Sequence, residues 1–579
     1  MTLHMPYKAI NGIRMGAIEA GVMLALFAFV FLVMKVVRSR PSRPEWITWL
    51  LESNLRGVVF VTAVALIARA LLLPFIGVPE PHINNEYSYL LMADTFVHGR
   101  LTNPTPAAWQ HFETFHVNVL PSYHSIYPIG PGLVLALGQI VFHQPWIGIY
   151  LSTALSCGAI CWALQAFVPP AWALIGGLLA VARIAIFGYW MNSYFGGALA
   201  ALGGALALGA VVRLFDREQS PAKRITLSCV FAVALLILAT SRPYEGFAFA
   251  IPLLIYFAYQ VVKERISPVQ LRTVALPVIA IGTLGVVMIG YYNHQTTGHD
   301  LRMPYVLNHH TYWTLPFFMW DKGNPGLALN DPVFIQFMNI TEKEFQLADA
   351  NSFPGFAAVQ AGRLFKNWFF YVGVALTLPL LIGLLSSFYF KRKMQIALWA
   401  AAFMAGACVL CHYNLLHYAA PATVVVYLLA TEGLRYLWAQ RGTGEQAFVI
   451  AICAAVIVTA LTRQTSSSTM LAEFQLPDIR KDVVQQLEGS PGKHIVVVSY
   501  DQGRHYAPND IVHNGADFGS QRILWARSKG SDNDQDLCDA YGDRNFWSVT
   551  TDDLNFILKP LALCGEGYKQ TRFIRGNHD

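Results

Sequence analysis

The sequence predicts a mainly α, polytopic membrane helical bundle with a small C-terminal α/β domain on the outer side of the membrane. Three observations carry this expectation. Of the 579 residues, 55% are apolar and only 13% charged, about half the charged share of an ordinary soluble domain. Apolar runs long enough to cross a bilayer recur through the first four-fifths of the chain. The remaining stretch, 463–579, is polar and patterned for short strands.

Taken in order, twelve spans are expected: Gly21–Val37, Gly57–Ile76, Trp146–Phe167, Ala171–Phe187, Gly196–Val212, Ile225–Thr240, Gly246–Val262, Thr273–Tyr292, Asn367–Phe390, Met394–Cys411, Leu415–Thr431 and Ala447–Thr462. The first is too long, and too poor in small residues at its end, for a cleaved signal peptide. Leu133–His143 is too short to span and is expected to be interfacial or re-entrant. The glycines between Gly196 and Gly204 suit close helix packing. They are not a phosphate loop, because no Gly-Lys-Ser/Thr follows.

Basic residues fix the orientation. With Leu133–His143 left out of the count, Arg38, Arg40, Arg43 and Arg56 fall on one side, as do Arg213, Arg217, Lys223 and Arg224. Lys263, Arg265, Arg272, Lys391, Arg392, Lys393, Arg435 and Arg441 join them, which marks that side as cytoplasmic. Lys8 and Arg14 dissent. The net charge of +6 is spent in these clusters and implies no nucleic-acid partner. The outer side then receives the loops Gly77–Pro131 and Asn293–Lys366 and the tail, giving a membrane module over 1–462 and a soluble domain over 463–579.

In the tail, His494–Tyr500 reads as a buried strand after an amphipathic helix near Asp478–Glu488, with further strands at Arg522–Ala526 and Phe546–Thr550. Cys538 and Cys564 are the only cysteines there, and a disulfide between them suits an oxidising compartment; two unrelated buried thiols is the competing reading.

Chemistry-bearing residues gather in the outer segments. Glu86, beside Asn85, is a candidate general base, with a helix-capping acid as the plainer reading. Asp94 lies about two helical turns on and can share its face, or be a solvated helix acid. In the turn Ser241–Gly246, Arg242 suits a phosphate, with Glu245 and Tyr244 beside it, against a structural ion pair. Asn192 is a costly amide among interface aromatics. His417 and Tyr418 form a boundary cluster; the spacing from His412 turns the two imidazoles to different faces, so no metal is expected. Arg302 and Tyr305 are candidate contacts in the second large loop, against an ordered loop with no ligand.

Several segments together resemble the GT-C class of integral-membrane glycosyltransferases, which includes protein O-mannosyltransferases and aminoarabinose transferases. They are Glu86–Phe96, Tyr127–Gly132, Tyr189–Gly197, Ser241–Gly246 and His417–Pro421. The resemblance implies a polyprenyl-phosphate-linked sugar donor, an envelope acceptor and transfer with inversion. It also implies an active site facing the periplasm from the bacterial cytoplasmic membrane, and no cofactor is expected. It places an acidic pair at positions 85 and 86, where this chain has Asn85-Glu86. Glu86 as base, a divergent reaction and an inactive binding relative all follow from that difference. A flippase or transporter of lipid-linked sugars is the rival; such folds tend to carry repeats and mid-membrane polar breaks, whereas here no repeat is seen and the polar residues lie on one face.

Overall fold

The computed structural model describes residues 4–36, 44–216, 219–263, 268–329, 331–344, 352–390, 394–462, 479–501, 510–530, 533–552, 555–563 and 574–576. Arg38, Arg40, Arg43, Arg217, Arg265, Lys391, Arg392 and Lys393 lie outside them, as does Cys564.

In chain order the helices are α1 (His4–Val36), α2 (Glu45–Leu51), α3 (Asn54–Ile76), α4 (Asn84–Val97), α5 (Ile129–Phe142), α6 (Trp146–Leu164), α7 (Pro170–Ala180), α8 (Gly197–Leu214) and α9 (Pro221–Ser241). There follow α10 (Pro243–Lys263), α11 (Pro268–Thr297), α12 (Pro304–Tyr312), α13 (Pro332–Glu344), α14 (Phe353–Tyr371), α15 (Gly373–Phe390), α16 (Gln395–Leu410), α17 (Thr423–Ala439) and α18 (Thr443–Thr462). Several open on proline at the first turn, where the missing N–H costs nothing: Pro170, Pro221 and Pro304. The chain divides into two compact units. One comprises Met1–Pro79, Trp146–Val287 and Asp349–Ser468; the other comprises Glu80–Pro145, Met288–Ala348 and Thr469–Asp579.

The first unit is the helical membrane module. Among the described residues, eight helices are long and apolar enough to cross a bilayer, or nine if a bent pair counts as one span. Twelve were expected. Pro170–Ala185 and Gln395–Leu410 are apolar but shorter, and α17 carries the fully buried Glu432, paired with Arg435 at 2.8 Å. The expected single span Asn367–Phe390 is broken, because Phe353–Tyr371 and Gly373–Phe388 meet at 100°. The cause is local. Gly373 takes φ +69°, and a Cβ there would lie 2.4 Å from Arg183 Nη2. Arg183 donates to the Phe369 carbonyl at 2.8 Å and so satisfies the end of α14. It also pairs with Glu19 of α1 at 3.0 Å, both side chains being buried. Rows of exposed apolar residues, such as Leu55, Val59, Ile67, Leu71 and Phe75 on α3, suit contact with lipid and not water.

Close packing at the glycines is as expected for α8. A Cβ on Gly204 would lie 2.0 Å from the Pro421 carbonyl oxygen. A reciprocal contact joins α15 to α17: a Cβ on Gly383 would meet the Leu429 carbonyl oxygen at 1.8 Å, and one on Gly433 the Pro379 carbonyl oxygen at 1.8 Å.

The second unit gathers both large loops and the tail. Its five-stranded sheet has the order β4-β3-β5-β6-β7, with β3 (His494–Tyr500), β4 (Ile523–Arg527), β5 (Asn545–Thr551), β6 (Phe556–Pro560) and β7 (Ile574–Gly576). β3 runs parallel to β4 and β5, and β6 and β7 continue antiparallel. Both faces of β3 are covered, which explains its unbroken apolar run. Val496 and Val498 pack on Val483 and Leu487 of the helix Ile479–Leu487. Ile495 and Val497 pack on Leu537 and on Phe112 from the first loop. The tail core is thus completed by a loop residue nearly 400 positions earlier, and the division expected at 463 is not a boundary of packing. Cys538 is disulfide-bonded. A two-stranded ribbon of β1 (Val117–Asn118) and β2 (His124–Ser125) crosses the first loop. Asn308 of α12 braces it by donating to the Val117 carbonyl at 3.2 Å and to Asn118 Oδ1 at 3.0 Å.

Candidate functional site

In the second unit, the start of α4 organises the candidate residues. Ile83 is the residue before the first turn, and Glu86 three positions on folds back to it. Glu86 Oε2 accepts from the His82 and Ile83 amides at 2.8 and 3.3 Å, and the side chain is 1% exposed. A carboxylate in this place satisfies donors that the helix itself leaves open and opposes the positive end of its dipole. The capping acid is therefore Glu86 itself, whereas Asn84 and Asn85 are free of that duty. Asn84 Oδ1 meets His513 Nε2 of the tail at 2.9 Å. Asn85 donates its amide to the Tyr127 hydroxyl.

Tyr127 stacks on Tyr89 at 4.1 Å and 12°. Ser88, one turn along α4 from Asn85, donates to the His116 carbonyl at 2.5 Å and lies 2.7 Å from Ser125 Oγ. His116 takes the left-handed conformation, φ +61°. Its ring lies among Tyr127, Trp313 and Phe337, with centroids 6.0, 6.2 and 5.9 Å away. Among the described residues its buried Nδ1 has no hydrogen-bond partner. Burial pushes this imidazole down to about 4.

Asp94 is placed differently from Asn85 and Glu86. Its Oδ2 accepts the Ala516 amide at 2.6 Å, and its Oδ1 lies 3.3 Å from His98 Nδ1. It borders a cavity of about 320 Å³ with Tyr87, Gln139, Arg480, His513 and Gln521. Within it Tyr87 stacks on His513 at 4.3 Å, and the Arg480 guanidinium stands 5.3 Å from the other partner ring, Tyr87. In the second loop Arg302 is exposed and Tyr305 is half-buried, its ring 6.2 Å from Phe317. No described contact draws either to Asn85.

An ion network lies deeper in the same unit. Arg527 meets Asp510 at 2.5 Å and Asp331 at 3.4 Å, and Lys529 meets Asp331 at 2.9 Å. Tyr500 donates to Asp510 at 2.5 Å and Thr114 does so at 3.1 Å. Burial opposes the charge on Arg527, but Asp510 and Asp331 outweigh it and hold its pKa above the ordinary value. Burial would raise the Asp331 carboxyl, but Arg527 and Lys529 hold it below its usual range.

In the membrane unit, Arg242, Tyr244, Glu245, His417 and Tyr418 do come together. The Arg242 guanidinium sits 4.1 Å from the Tyr418 ring centroid, a stabilising arrangement for a partly desolvated cation. Tyr244 donates to the Ala407 carbonyl at 3.2 Å, and Glu245 is 5% exposed at the start of α10. His417 is buried, stacked on Phe195 at 4.9 Å, with Nδ1 3.4 Å from the Tyr189 hydroxyl. Asn192 donates to the Phe187 carbonyl at 3.2 Å and closes its own turn. Arg363, which the sequence reading passed over, donates to the Cys411 carbonyl at 2.9 Å and to the His412 carbonyl. No group of three or more His, Cys, Asp or Glu side chains poised to hold a metal occurs among the described residues.

Sequence reasoning missed His116, whose left-handed backbone leaves no mark in residue spacing. It also missed Glu19. Here a signal existed, since an acid inside an apolar run is expensive without a partner.

No protein-family model matches the chain, and no curated protein matches it in sequence. Among solved structures it is similar in fold to the Archaeoglobus fulgidus oligosaccharyltransferase in the apo form, with TM-score 0.46 and 14% identity over 77% of this chain and 62% of that one. The chain thus covers less than two thirds of that protein's length. It is also similar to ArnT from Cupriavidus metallidurans in the apo state, with TM-score 0.48 and 13% identity over 86% of this chain and 94% of that one. For ArnT bound to undecaprenyl phosphate the values are 0.48 and 12%, over 88% and 94%. No residue role is carried over from a likeness of this degree.

Proposed function

We propose that this chain is a membrane glycosyltransferase. It moves a sugar, with inversion, from a polyprenyl-phosphate-linked donor to an envelope acceptor. The reaction takes place at the outer face of the bacterial cytoplasmic membrane, within the lipid bilayer that holds the helices. The observation that carries the reading is Arg242. A cation held on the Tyr418 ring, where α9 gives way to α10, is suited to a lipid-borne phosphate. Stabilising the charge that develops on a departing phosphate is the largest single service an enzyme of this kind needs. The motifs that resemble the GT-C class support the same reading, and so does the clustering of basic residues on the opposite side of the spans. Arg302 and Tyr305 remain candidate substrate contacts. Glu86 we assign to positioning, because its carboxylate closes the first turn of α4.

The test is direct. The purified protein is given radiolabelled undecaprenyl-phosphate-linked sugars and a total envelope extract, and sugar transfer is scored. Transfer that collapses in Arg242→Gln supports the reading. Movement of intact lipid-linked sugar across proteoliposomes without bond cleavage would make the protein a transporter, and binding without either would make it a degenerate relative.

A further inference from the structure

We propose that the cavity beside α4 in the second unit binds one neutral sugar residue, a hexose or an N-acetylhexosamine. The proposal goes beyond the glycosyltransferase reading and is measured by occupancy, not by turnover.

The cavity holds about 320 Å³, at the low end of the range for small-molecule sites, which leaves room for one ring and not for a long chain. All of its lining residues belong to the second unit. Asp94, Gln139, Arg480 and Gln521 supply a polar wall, and Leu90 and Pro145 an apolar one. Each of them is half-buried, so the wall is supported from behind and reachable in front.

Most of the polar wall is fixed in advance. Arg480 donates to the Ile511 and His513 carbonyls at 2.5 and 2.9 Å, and its guanidinium stands 4.5 Å from the Trp525 ring centroid. Asp94 Oδ2 accepts the Ala516 amide at 2.6 Å. Gln521 Oε1 accepts the Gly515 amide at 2.8 Å, and its Nε2 donates to the Asp517 carbonyl at 3.0 Å. A Cβ at position 515 would lie 2.7 Å from Asp94 Oδ2, so glycine there lets the carboxylate reach the tail backbone. Groups held in place beforehand lose little freedom when a ligand arrives.

The ligand class follows from what these contacts leave over. The wall carries one cation and one anion, and both already have partners: Arg480 as above, and Asp94 also in His98 at 3.3 Å. Burial keeps His513, which lines the cavity too, uncharged at neutral pH. The wall therefore favours neither an anion nor a cation. Hydrogen-bonding capacity is what remains. A carboxylate offers about four acceptor positions and a carboxamide two N–H donors. Asp94 has acceptor positions to spare, Gln521 has a second N–H, and no described hydrogen bond engages the Gln139 side chain. Donors and acceptors side by side suit hydroxyl groups, which do both, and the apolar wall suits the C–H face of a pyranose ring.

The experiment uses the full chain in a detergent without a sugar headgroup. Glucose, galactose, mannose and N-acetylglucosamine are titrated in turn, and saturation-transfer NMR reads the occupancy. At least one is expected to bind. Gln139→Leu should weaken that binding roughly fivefold, and Asp94→Asn, which keeps an acceptor for the Ala516 amide, about tenfold or more. Gln139 has no described hydrogen bond to lose, so its variant decides the matter if Asp94→Asn fails to fold. Binding of none of the four sugars overturns the proposal, as does binding that a folded Gln139→Leu protein retains in full, since the sugar would then sit elsewhere. Glycine and inorganic phosphate are expected not to bind. If either does, and the same variants weaken it, the cavity takes a charged ligand and the sugar assignment is wrong. No donor lipid is present, so the outcome is independent of the transfer assay.

Discussion

Arg527, the last residue of β4, and Asp510 meet at 2.5 Å with side chains 4% and 0% exposed. Asp331 and Lys529 extend the pair, and Tyr500, Thr114 and the Val512 amide also donate to Asp510. A buried pair of this kind contributes little when compared with an apolar replacement of both partners, but removing one partner strands the other. Arg527→Met is therefore expected to destabilise the second unit by about 3–5 kcal/mol. The double variant Arg527→Met with Asp510→Leu should lose clearly less. Thermal unfolding in detergent measures both together with Asp510→Leu alone, and a double-variant loss equal to the sum of the two single losses would mean that the pair is not coupled.

Acid should weaken the same unit in two stages. His116 and His124 are pushed down to about 4 by burial, and His513 to about 3 by burial together with Arg480 and Arg527, against the pull of Asp510. An unfolded imidazole binds its proton near pH 6.5. Between about pH 6.5 and 4 the unfolded chain therefore holds more protons than the folded one, and stability falls as the pH drops. Asp331, with its carboxyl held below its ordinary value, acts in the same direction further down. Its contribution is present above about pH 4 and is lost as the pH falls towards its lowered value. Unfolding midpoints measured from about pH 7 to about pH 4 should decline throughout, and the slope should be shallower in His116→Asn. A flat profile would contradict neutral burial of these rings.

Glu86 separates a cap from a base. Glutamine serves the capping position nearly as well as glutamate, so Glu86→Gln should keep the fold and most of the activity. Glu86→Ala should cost about 0.5–2 kcal/mol through the loss of the cap. Complete loss of transfer in a well-folded Glu86→Gln protein would make Glu86 the base and not only the cap.

In the membrane unit, Gly383→Ala and Gly433→Ala each drive a methyl group into the backbone of the facing helix. Overpacking of this kind costs about 1–3 kcal/mol, so each variant should lower the unfolding midpoint. Gly282→Ala, where nothing lies within 4 Å, should not.

Much of the architecture could be read from the chain, and the exceptions share a cause. β3 was bounded by residue pattern alone, and β4 and β5 within a residue, because a strand buried on both faces is a run of Ile and Val closed by polar turns. The α8 glycines announced close packing for the same local reason. What escaped was long-range. Phe112 entering the tail core, Asp94 meeting Ala516 and Glu19 meeting Arg183 join residues from about 160 to more than 400 positions apart. The break at Gly373 escaped too, because it depends on the Arg183–Glu19 pair. Of the candidate site, the boundary cluster around Arg242 and His417 was visible as charged and polar residues set against apolar spans. The role of Glu86 was left open between cap and base, and only the direction of its carboxylate separates the two.

The tail reaches back to grip α4 at both ends, His513 on Asn84 and Ala516 on Asp94. Shortening the protein at the last apolar helix would thus remove more than an appendage. Two polar side chains of α4 would lose their counterparts, and the helix that begins with the Asn85-Glu86 pair would lose its clamps. An inert truncated form would report on that loosened helix, so it could not be used to argue that the tail itself takes part in the reaction.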